Sequence, residues 1–198
     1  MLTCPVELPF RFLILTLPDF FQGETDIANR LFADGLQRLH LRKPEATKVQ
    51  TAEWIEQIEP QYRSRIVVHD HHDLACRYGL GGIHLNSRNT EVPEWFSRKD
   101  FTLSRSCHTI EETERYHPAF DYLFLSPIFD SISKQGYKAA FPREELADAK
   151  ARGLLDNVFA LGGVTFGNLR EVVEDMGFAG GAIMGGFWNE PVPLPTLA

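Results

Sequence analysis

Residues 158–186 read VFALGGVTFGNLREVVEDMGFAGGAIMGG, and this stretch decides the fold. It holds two short apolar runs, residues 158–161 and 180–184, and a pair of glycines follows each of them. Between the runs, the pattern of residues 168–176 predicts an amphipathic helix. A strand, a helix and a second strand of this kind predict a parallel β/α unit, because parallel strands need a long crossover that is usually helical.

The same unit recurs along the chain. Further apolar runs lie at residues 12–17, 36–42, 65–69, 82–85, 101–106 and 122–126, and helices are predicted at 26–34, 47–58, 73–78 and 143–150. Eight short strands in 198 residues predict a single (β/α)8 TIM barrel, one domain over residues 1–198. A doubly wound open sheet is the alternative. Three prolines in residues 189–198 predict that a regular eighth helix is missing.

Composition restricts the class of partner. The net charge of −7 disfavours nucleic acid and anionic membranes, so an anionic ligand must be held by a local site. The three cysteines form no C-x-x-C pair, which favours a reducing compartment over a disulfide scaffold. No apolar stretch approaches the ~20 residues of a membrane span, and the N-terminus lacks a signal-peptide pattern. These features predict a soluble cytoplasmic protein.

Two strands are predicted to carry polar side chains into the barrel. In the second strand, His40 and Arg42 alternate with leucines that suit the helix layer, so both should point inward. In the fifth strand the same alternation points Ser104, Ser106 and His108 inward. Because the chemistry of such barrels lies at the carboxyl ends of the strands, these side chains predict a polar ligand site.

Glycines after the seventh and eighth strands indicate a phosphate site. Gly163 follows one strand, and Gly185 and Gly186 follow the next, where backbone N–H groups can approach an oxyanion. Either pair alone is as well explained by a tight turn. After the sixth strand, Ser131, Ser133 and Lys134 predict a second anion site, with a solvated surface loop as the alternative.

The run of histidines and aspartates at residues 69–73 suggests a metal. Strand alternation sends His69 and His71 apart, which speaks against zinc. Asp70, at a strand end, is a better candidate for magnesium or for a simple hydrogen bond. His84 lies inside a strand, where we expect a core histidine with satisfied hydrogen bonds.

An ordered set of motifs covers residues 39–186. The motifs are LHLRK at 39–43, VHD at 68–70, GIHL at 82–85, SCHT at 106–109, SPIF at 126–129, LGGVT at 161–165 and IMGG at 183–186. In this order they resemble the thiamine phosphate synthases (thiamine-phosphate pyrophosphorylases) and their sister group, the TenI-like thiazole tautomerases. Each motif is weak alone, and the ordered set is specific.

The resemblance implies an enzyme of thiamine biosynthesis and a set of binding residues. In the synthases a pyrimidine diphosphate ionises and the nitrogen of a thiazole phosphate captures the carbocation, with magnesium on the leaving diphosphate. The matching positions for the diphosphate are Arg42, Ser106, Ser131, Ser133 and Lys134, and those for the thiazole phosphate are Gly163, Met184, Gly185 and Gly186. The Asn-Asp pair of the family corresponds to His69 and Asp70.

Several positions depart from the synthase pattern. His40 replaces a glutamine, and Pro44 replaces a lysine for which Lys43 is the available substitute. Asn89 stands at the second magnesium aspartate, so any magnesium site would consist of Asp70 and Asn89. These changes weaken the diphosphate half and favour a tautomerase, which needs no cofactor. Its proton carriers would be His108 and His40.

The preferred interpretation is thus a thiazole tautomerase acting on carboxythiazole phosphate. The alternatives are a thiamine phosphate synthase, which joins pyrimidine diphosphate to thiazole phosphate with Mg²⁺, and a non-catalytic protein that only binds thiazole phosphate. The strand motifs disfavour the phosphate-binding barrels of tryptophan or histidine biosynthesis. Since a missing eighth helix would leave apolar surface exposed, we also predict a homodimer or, as the alternative, a C-terminal tail that folds across the gap.

Overall fold

Eight parallel strands form a closed barrel in chain order, which confirms the predicted (β/α)8 fold. The structure is a computed structural model and describes residues 11–130 and 141–188. The strands are β1 (Phe12–Leu15), β2 (Leu39–Leu41), β3 (Ile66–Val68), β4 (Gly82–Leu85), β5 (Thr102–Cys107), β6 (Tyr122–Leu125), β7 (Val158–Leu161) and β8 (Gly180–Ile183).

Helices cover the outside of the barrel. They are α1 (Glu24–Ala33), α2 (Lys48–Glu56), α3 (Asp73–Tyr78), α4 (Ile110–Tyr116), α5 (Arg143–Ala151) and α6 (Gly185–Trp188), with 3-10 turns at Pro60–Arg65 and His117–Ala119. None of the helices in the described ranges is long and apolar enough to cross a membrane.

Two connections differ from the sequence prediction. Helix α4 was not expected, although Thr109 caps it by accepting a hydrogen bond from the Glu112 N–H at 3.1 Å. A threonine followed three residues later by a glutamate is a known start signal for helices. Between β7 and β8, the predicted α-helix is instead a π-helical turn, Glu171–Asp175. The Met176 N–H donates a hydrogen bond to the Glu171 carbonyl at 2.9 Å, five residues earlier.

The pairing of β8 with β1 closes the barrel and depends on glycine. A Cβ atom on Gly180 would lie 2.2 Å from the Arg11 carbonyl oxygen and 2.6 Å from the Phe159 ring. No larger residue fits between β1 and β7 at this point without moving one of them. The apolar run of β8 therefore begins with glycine because the neighbouring chain is so close.

The chain after β8 continues as the short helix α6. Phe187 and Trp188 are buried, and the Trp188 indole N–H donates to the Leu15 carbonyl oxygen at 2.6 Å. These two aromatic side chains pack beside the junction of β8 and β1. The predicted lack of a regular eighth helix concerns residues 189–198, which lie outside the described residues. The predicted homodimer stays a prediction.

A buried ion pair joins β2 to the first two helices. The Lys43 ammonium donates to a Glu24 carboxylate oxygen at 2.7 Å and to the Asp19 carbonyl at 2.8 Å. The other Glu24 oxygen accepts from the Trp54 indole at 2.9 Å. Both charged side chains are 1% exposed. Burial raises the pKa of Glu24 and lowers that of Lys43, while the ion pair opposes both shifts.

Removing one partner of this pair should be strongly destabilising. We expect Glu24→Ala to lower the free energy of unfolding by about 3–5 kcal/mol, because the Lys43 ammonium stays buried without its carboxylate. Urea denaturation measures the change. The control is Glu53→Ala on the exposed face of α2, which should cost at most about 0.5 kcal/mol. Equal losses in the two variants would contradict the structural role of the pair.

Candidate active site

A pocket of about 490 Å³ lies at the carboxyl ends of the strands, a volume ordinary for a small-molecule site. Eight of the residues predicted from the sequence line it, namely Arg42, His69, Ser106, His108, Gly163, Met184, Gly185 and Gly186. A wider groove of about 630 Å³ lies outside the barrel between α5 and the π-helical turn, and its lining includes none of the predicted site residues. The pocket at the strand ends is therefore the candidate active site.

One side of the pocket is built from glycine backbone. Gly163 has a φ of +65°, and a Cβ atom there would lie 2.6 Å from the Asp130 carbonyl oxygen. On the next loop, a Cβ on Gly186 would lie 2.8 Å from the Val164 carbonyl oxygen. The Asn168 amide fixes the first loop by donating to the Gly163 carbonyl at 3.0 Å. The two glycine loops are thus packed together and present main chain to the pocket.

The other side of the pocket carries two arginines. Arg42 follows β2 and Arg88 follows β4. In the closed strand order β4 lies opposite β8, and β2 is separated from β8 by β1. The backbone of Arg42 is fixed by Thr16, whose hydroxyl accepts from the Arg42 N–H at 2.9 Å and donates to the Arg42 carbonyl at 3.2 Å. Burial and the nearby Arg88 charge lower the pKa of Arg42. Two cations therefore face a cavity in a protein whose overall charge is negative.

Buried histidines form the floor beneath the pocket. His40 Nδ1 lies 2.9 Å from His69 Nε2, and His40 Nε2 lies 2.8 Å from the Tyr122 hydroxyl. The two ring nitrogens of His84 lie 2.8 Å from the hydroxyls of Ser104 and Ser106. This confirms His84 as a core histidine with satisfied hydrogen bonds, and it confirms the inward direction predicted for His40, Ser104 and Ser106.

The hydrogen-bonded chain reaches the pocket through His69. Burial lowers the pKa of His40, His69 and His84 well below the usual histidine value, so all three are neutral at neutral pH. Neutral imidazoles have one donor and one acceptor nitrogen, and a shift of tautomer along Tyr122, His40 and His69 can move a proton to or from the pocket wall.

The same three histidines do not suit a metal ion. One nitrogen of each lies within 4.8 Å of the others. The His69 and His84 rings, however, stack with centroids 4.1 Å apart and planes at 25°. A metal ligated by histidine lies near the plane of the ring, so two stacked rings cannot share one ion. The hydrogen bonds to Tyr122, Ser104 and Ser106 explain the cluster without a metal.

His108 stands at the rim of the pocket, exposed to solvent. Its backbone N–H donates to a Glu112 carboxylate oxygen at 2.7 Å, and its ring Nδ1 lies 3.2 Å from the Ser126 carbonyl. The start of α4 therefore fixes the backbone of His108 while the ring stays accessible to a ligand. This position suits a proton carrier.

The residues predicted for magnesium do not fit that ion. Both oxygens of Asp70 accept from one nitrogen of Arg88, at 3.0 and 3.2 Å, and one also accepts from the Asn89 amide at 2.7 Å. Asn89 turns its NH₂ toward Asp70 and toward the His69 carbonyl at 3.0 Å, so its donors rather than its oxygen face the carboxylate. Magnesium prefers free carboxylate oxygens with open octahedral geometry. Asp70 and Asn89, with these partners, therefore do not form a magnesium site.

The remaining predicted residues are placed as follows. Lys43 points away from the pocket into its ion pair with Glu24, which corrects the expectation that it replaces a missing lysine of the site. Arg42 and Lys43 are consecutive residues just after β2, and their side chains go to different places, Arg42 to the pocket and Lys43 to Glu24. Ser131, Ser133 and Lys134 lie outside the described residues. The sequence analysis did not identify Arg88 as a site residue, although a charged residue shortly after a barrel strand indicates a position at the pocket.

A closed barrel whose pocket gathers polar residues at the strand ends defines the class, a (β/α)8-barrel enzyme. A family model described as thiamine monophosphate synthase matches residues 16–187. The chain therefore belongs to the thiamine monophosphate synthase family. Among curated relatives, the thiamine-phosphate synthase of Dictyoglomus thermophilum is 25% identical over 81% of this chain and 75% of its own. That of Shouchella clausii is 26% identical over 84% and 83%.

Solved structures agree with this assignment. A thiamine phosphate pyrophosphorylase from Bacteroides thetaiotaomicron superposes with a TM-score of 0.80 at 37% sequence identity, over 91% of this chain and 86% of that chain. A thiamine phosphate pyrophosphorylase from Pyrococcus furiosus has a TM-score of 0.66 at 19% identity, which shows the shared fold alone.

The neutral histidines should make stability depend on pH. Their pKa values are lower in the folded than in the unfolded chain, so unfolding binds protons below pH ~6.5 and stability falls as the pH drops. Each histidine that stays neutral contributes up to about 1.4 kcal/mol per pH unit. We expect His40→Gln to reduce this slope between pH 5 and 6, as measured by urea denaturation. A slope equal to that of the wild type would argue against a neutral buried His40.

Proposed function

We propose that this protein is a thiamine phosphate synthase, which joins a pyrimidine diphosphate to a thiazole phosphate and releases diphosphate. The observation that carries the proposal is a single pocket with two separate places for anions, glycine backbone after β7 and β8 and the arginines after β2 and β4. In a tautomerase the arginines would face only the carboxylate of carboxythiazole phosphate, whereas in a synthase they face a diphosphate, which carries more negative charge. The names of the relatives favour the same reaction over the tautomerase preferred from the sequence.

In this mechanism the carbon–oxygen bond between the pyrimidine methylene and the diphosphate breaks, and diphosphate leaves with the electron pair. The lone pair of the thiazole nitrogen then forms the new carbon–nitrogen bond, so no external oxidant or reductant is required. Arg42 binds the leaving diphosphate, on which negative charge increases as the bond breaks. The backbone of Gly163, Gly185 and Gly186 holds the thiazole phosphate and sets its distance from the carbocation.

The apolar residues of the pocket complete the site. Leu15, Phe124 and Ala182 line it below the two anion positions. Two flat heteroaromatic rings can stack in such a space, from which water is excluded until the bond has formed. Exclusion of water matters because a pyrimidine carbocation captured by water gives an alcohol instead of the coupled product.

A direct assay tests the proposal. Purified protein is incubated with pyrimidine diphosphate and thiazole phosphate, and thiamine phosphate and diphosphate are quantified by chromatography. Equal formation of the two products is expected. Binding of thiazole phosphate without any turnover would identify the non-catalytic alternative instead.

The phosphate assignment has its own test. We expect Gly185→Asp to weaken the binding of thiazole phosphate by at least about 100-fold, because it places a carboxylate against the phosphate. The control is Gly167→Asp, which adds the same charge in the β7 loop at an exposed glycine that does not line the pocket. Isothermal titration calorimetry compares the two variants. If both lose affinity equally, or neither does, the phosphate lies elsewhere.

A second candidate function, thiazole tautomerisation, is favoured by one observation. His108 is accessible at the rim, and His69 connects the pocket wall to His40 and Tyr122. In that case His108→Ala should lower the rate of tautomerisation of carboxythiazole phosphate by roughly 10²–10⁴-fold, in the presence or absence of a chelator. Wild-type protein with no measurable tautomerisation would eliminate this candidate.

A further inference from the structure

The ion pair between Arg88 and Asp70 stands where the family resemblance places the magnesium carboxylates. One Arg88 nitrogen donates to both Asp70 oxygens, at 3.2 and 3.0 Å, and the side chains are 41% and 17% exposed. Asn89, at the place of the second aspartate, donates to Asp70 at 2.7 Å. A guanidinium and an amide thus surround the single carboxylate, so a divalent ion would have to displace Arg88 to reach it.

The loop that carries Arg88 is fixed by its own hydrogen bonds. Asn86 and Asn89 bond each other through both backbone N–H and C=O groups, at 3.0 and 3.1 Å. The Asn86 side chain accepts from the Arg88 N–H at 2.9 Å and donates to the His69 carbonyl at 3.2 Å. The loop is therefore attached to the end of β3 at several points. It presents Arg88 in a defined position at the pocket wall.

We infer that Arg88, oriented by Asp70, forms with Arg42 a binding site for diphosphate that requires no metal ion. The inference rests on the proposed function, because it assumes that a diphosphate enters this pocket. Asp70 engages only one terminal nitrogen of Arg88 in the described contacts, and a guanidinium has five N–H donors in a planar fork that suits phosphate oxygens.

The local charges agree with this role. Arg42 and Arg88 both line the pocket. Burial lowers the pKa of Arg42, the charge of Arg88 adds to that shift, and Asp70 opposes it. Two guanidinium groups and one carboxylate leave the wall with one net positive charge. An incoming diphosphate relieves the repulsion between the arginines, since its oxygens can accept from both. Asp70 then acts as a positioning residue for Arg88 instead of a metal ligand.

Calorimetry with inorganic diphosphate tests the inference directly. Wild-type protein should bind diphosphate in EDTA, and added Mg²⁺, which also complexes free diphosphate in solution, should not strengthen the binding. Arg88→Gln should weaken binding in EDTA about tenfold or more, as expected for the loss of charge-assisted hydrogen bonds. Arg88→Lys keeps the charge and should bind more tightly than Arg88→Gln. The matched control is Arg152→Gln, which removes an arginine that is also 41% exposed and paired with a carboxylate, but outside the pocket.

A double variant tests whether a metal site can be restored at this position. Replacing the cation and restoring the carboxylate, in Arg88→Ser with Asn89→Asp, should create a site that binds Mn²⁺ in electron paramagnetic resonance titrations and makes diphosphate binding metal-dependent. The wild type should bind no Mn²⁺ in the pocket. Wild-type diphosphate binding that disappears in EDTA, or an Arg88→Gln variant with unchanged affinity, would overturn the inference.

The two proposals fail separately. Metal-free diphosphate binding that depends on Arg88, together with no formation of thiamine phosphate, would refute the proposed function and leave the diphosphate site. Rapid coupling combined with diphosphate binding that strictly requires Mg²⁺ would refute the metal-free site and leave the synthase.

Discussion

Closure of the sheet between β8 and β1 is the constraint on which the rest of the structure depends. Once Phe12 pairs with Gly181, the eight strands have a common inside, and their carboxyl ends form one rim. Every parallel strand then alternates between a barrel-facing and a helix-facing side chain. This closure requires glycine at position 180, because the neighbouring chain leaves no room there for a side chain.

The inside of the barrel contains both aromatic and polar side chains. Phe124, Tyr122 and Phe159 fill part of the interior with aromatic rings. His40, His69 and His84 are buried next to these rings, and each contacts the Phe124 ring. Burying a charged imidazole in such surroundings is costly, so these histidines are neutral and bond to hydroxyl groups and to one another. The polar groups beneath the pocket are therefore uncharged, and among the described residues the arginines that line it lie at its rim.

Two ion pairs lie near the carboxyl ends of the strands. The cations are Lys43 and Arg88, and their carboxylate partners hold them in different places. Glu24 holds Lys43 in a buried pair on the helix side, which removes it from the ligand. Asp70 is only 17% exposed but holds Arg88 at the pocket wall, so that the guanidinium remains available. The first pair is buried on the helix side, and the second leaves a cation at the pocket wall.

The sequence by itself determined the succession of parallel β/α units, the inward residues of β2 and β5 and the glycine loops. Each of these follows from a local rule: the length of an apolar run, the two-residue period of a strand, or the backbone freedom of glycine. Only the tertiary structure decided that His40 bonds His69, that Lys43 pairs with Glu24 and that Arg88 holds Asp70. Those partners lie 29, 19 and 18 residues apart on different elements. No periodic pattern connects them, because their contact depends on how the closed sheet brings loop and strand ends together.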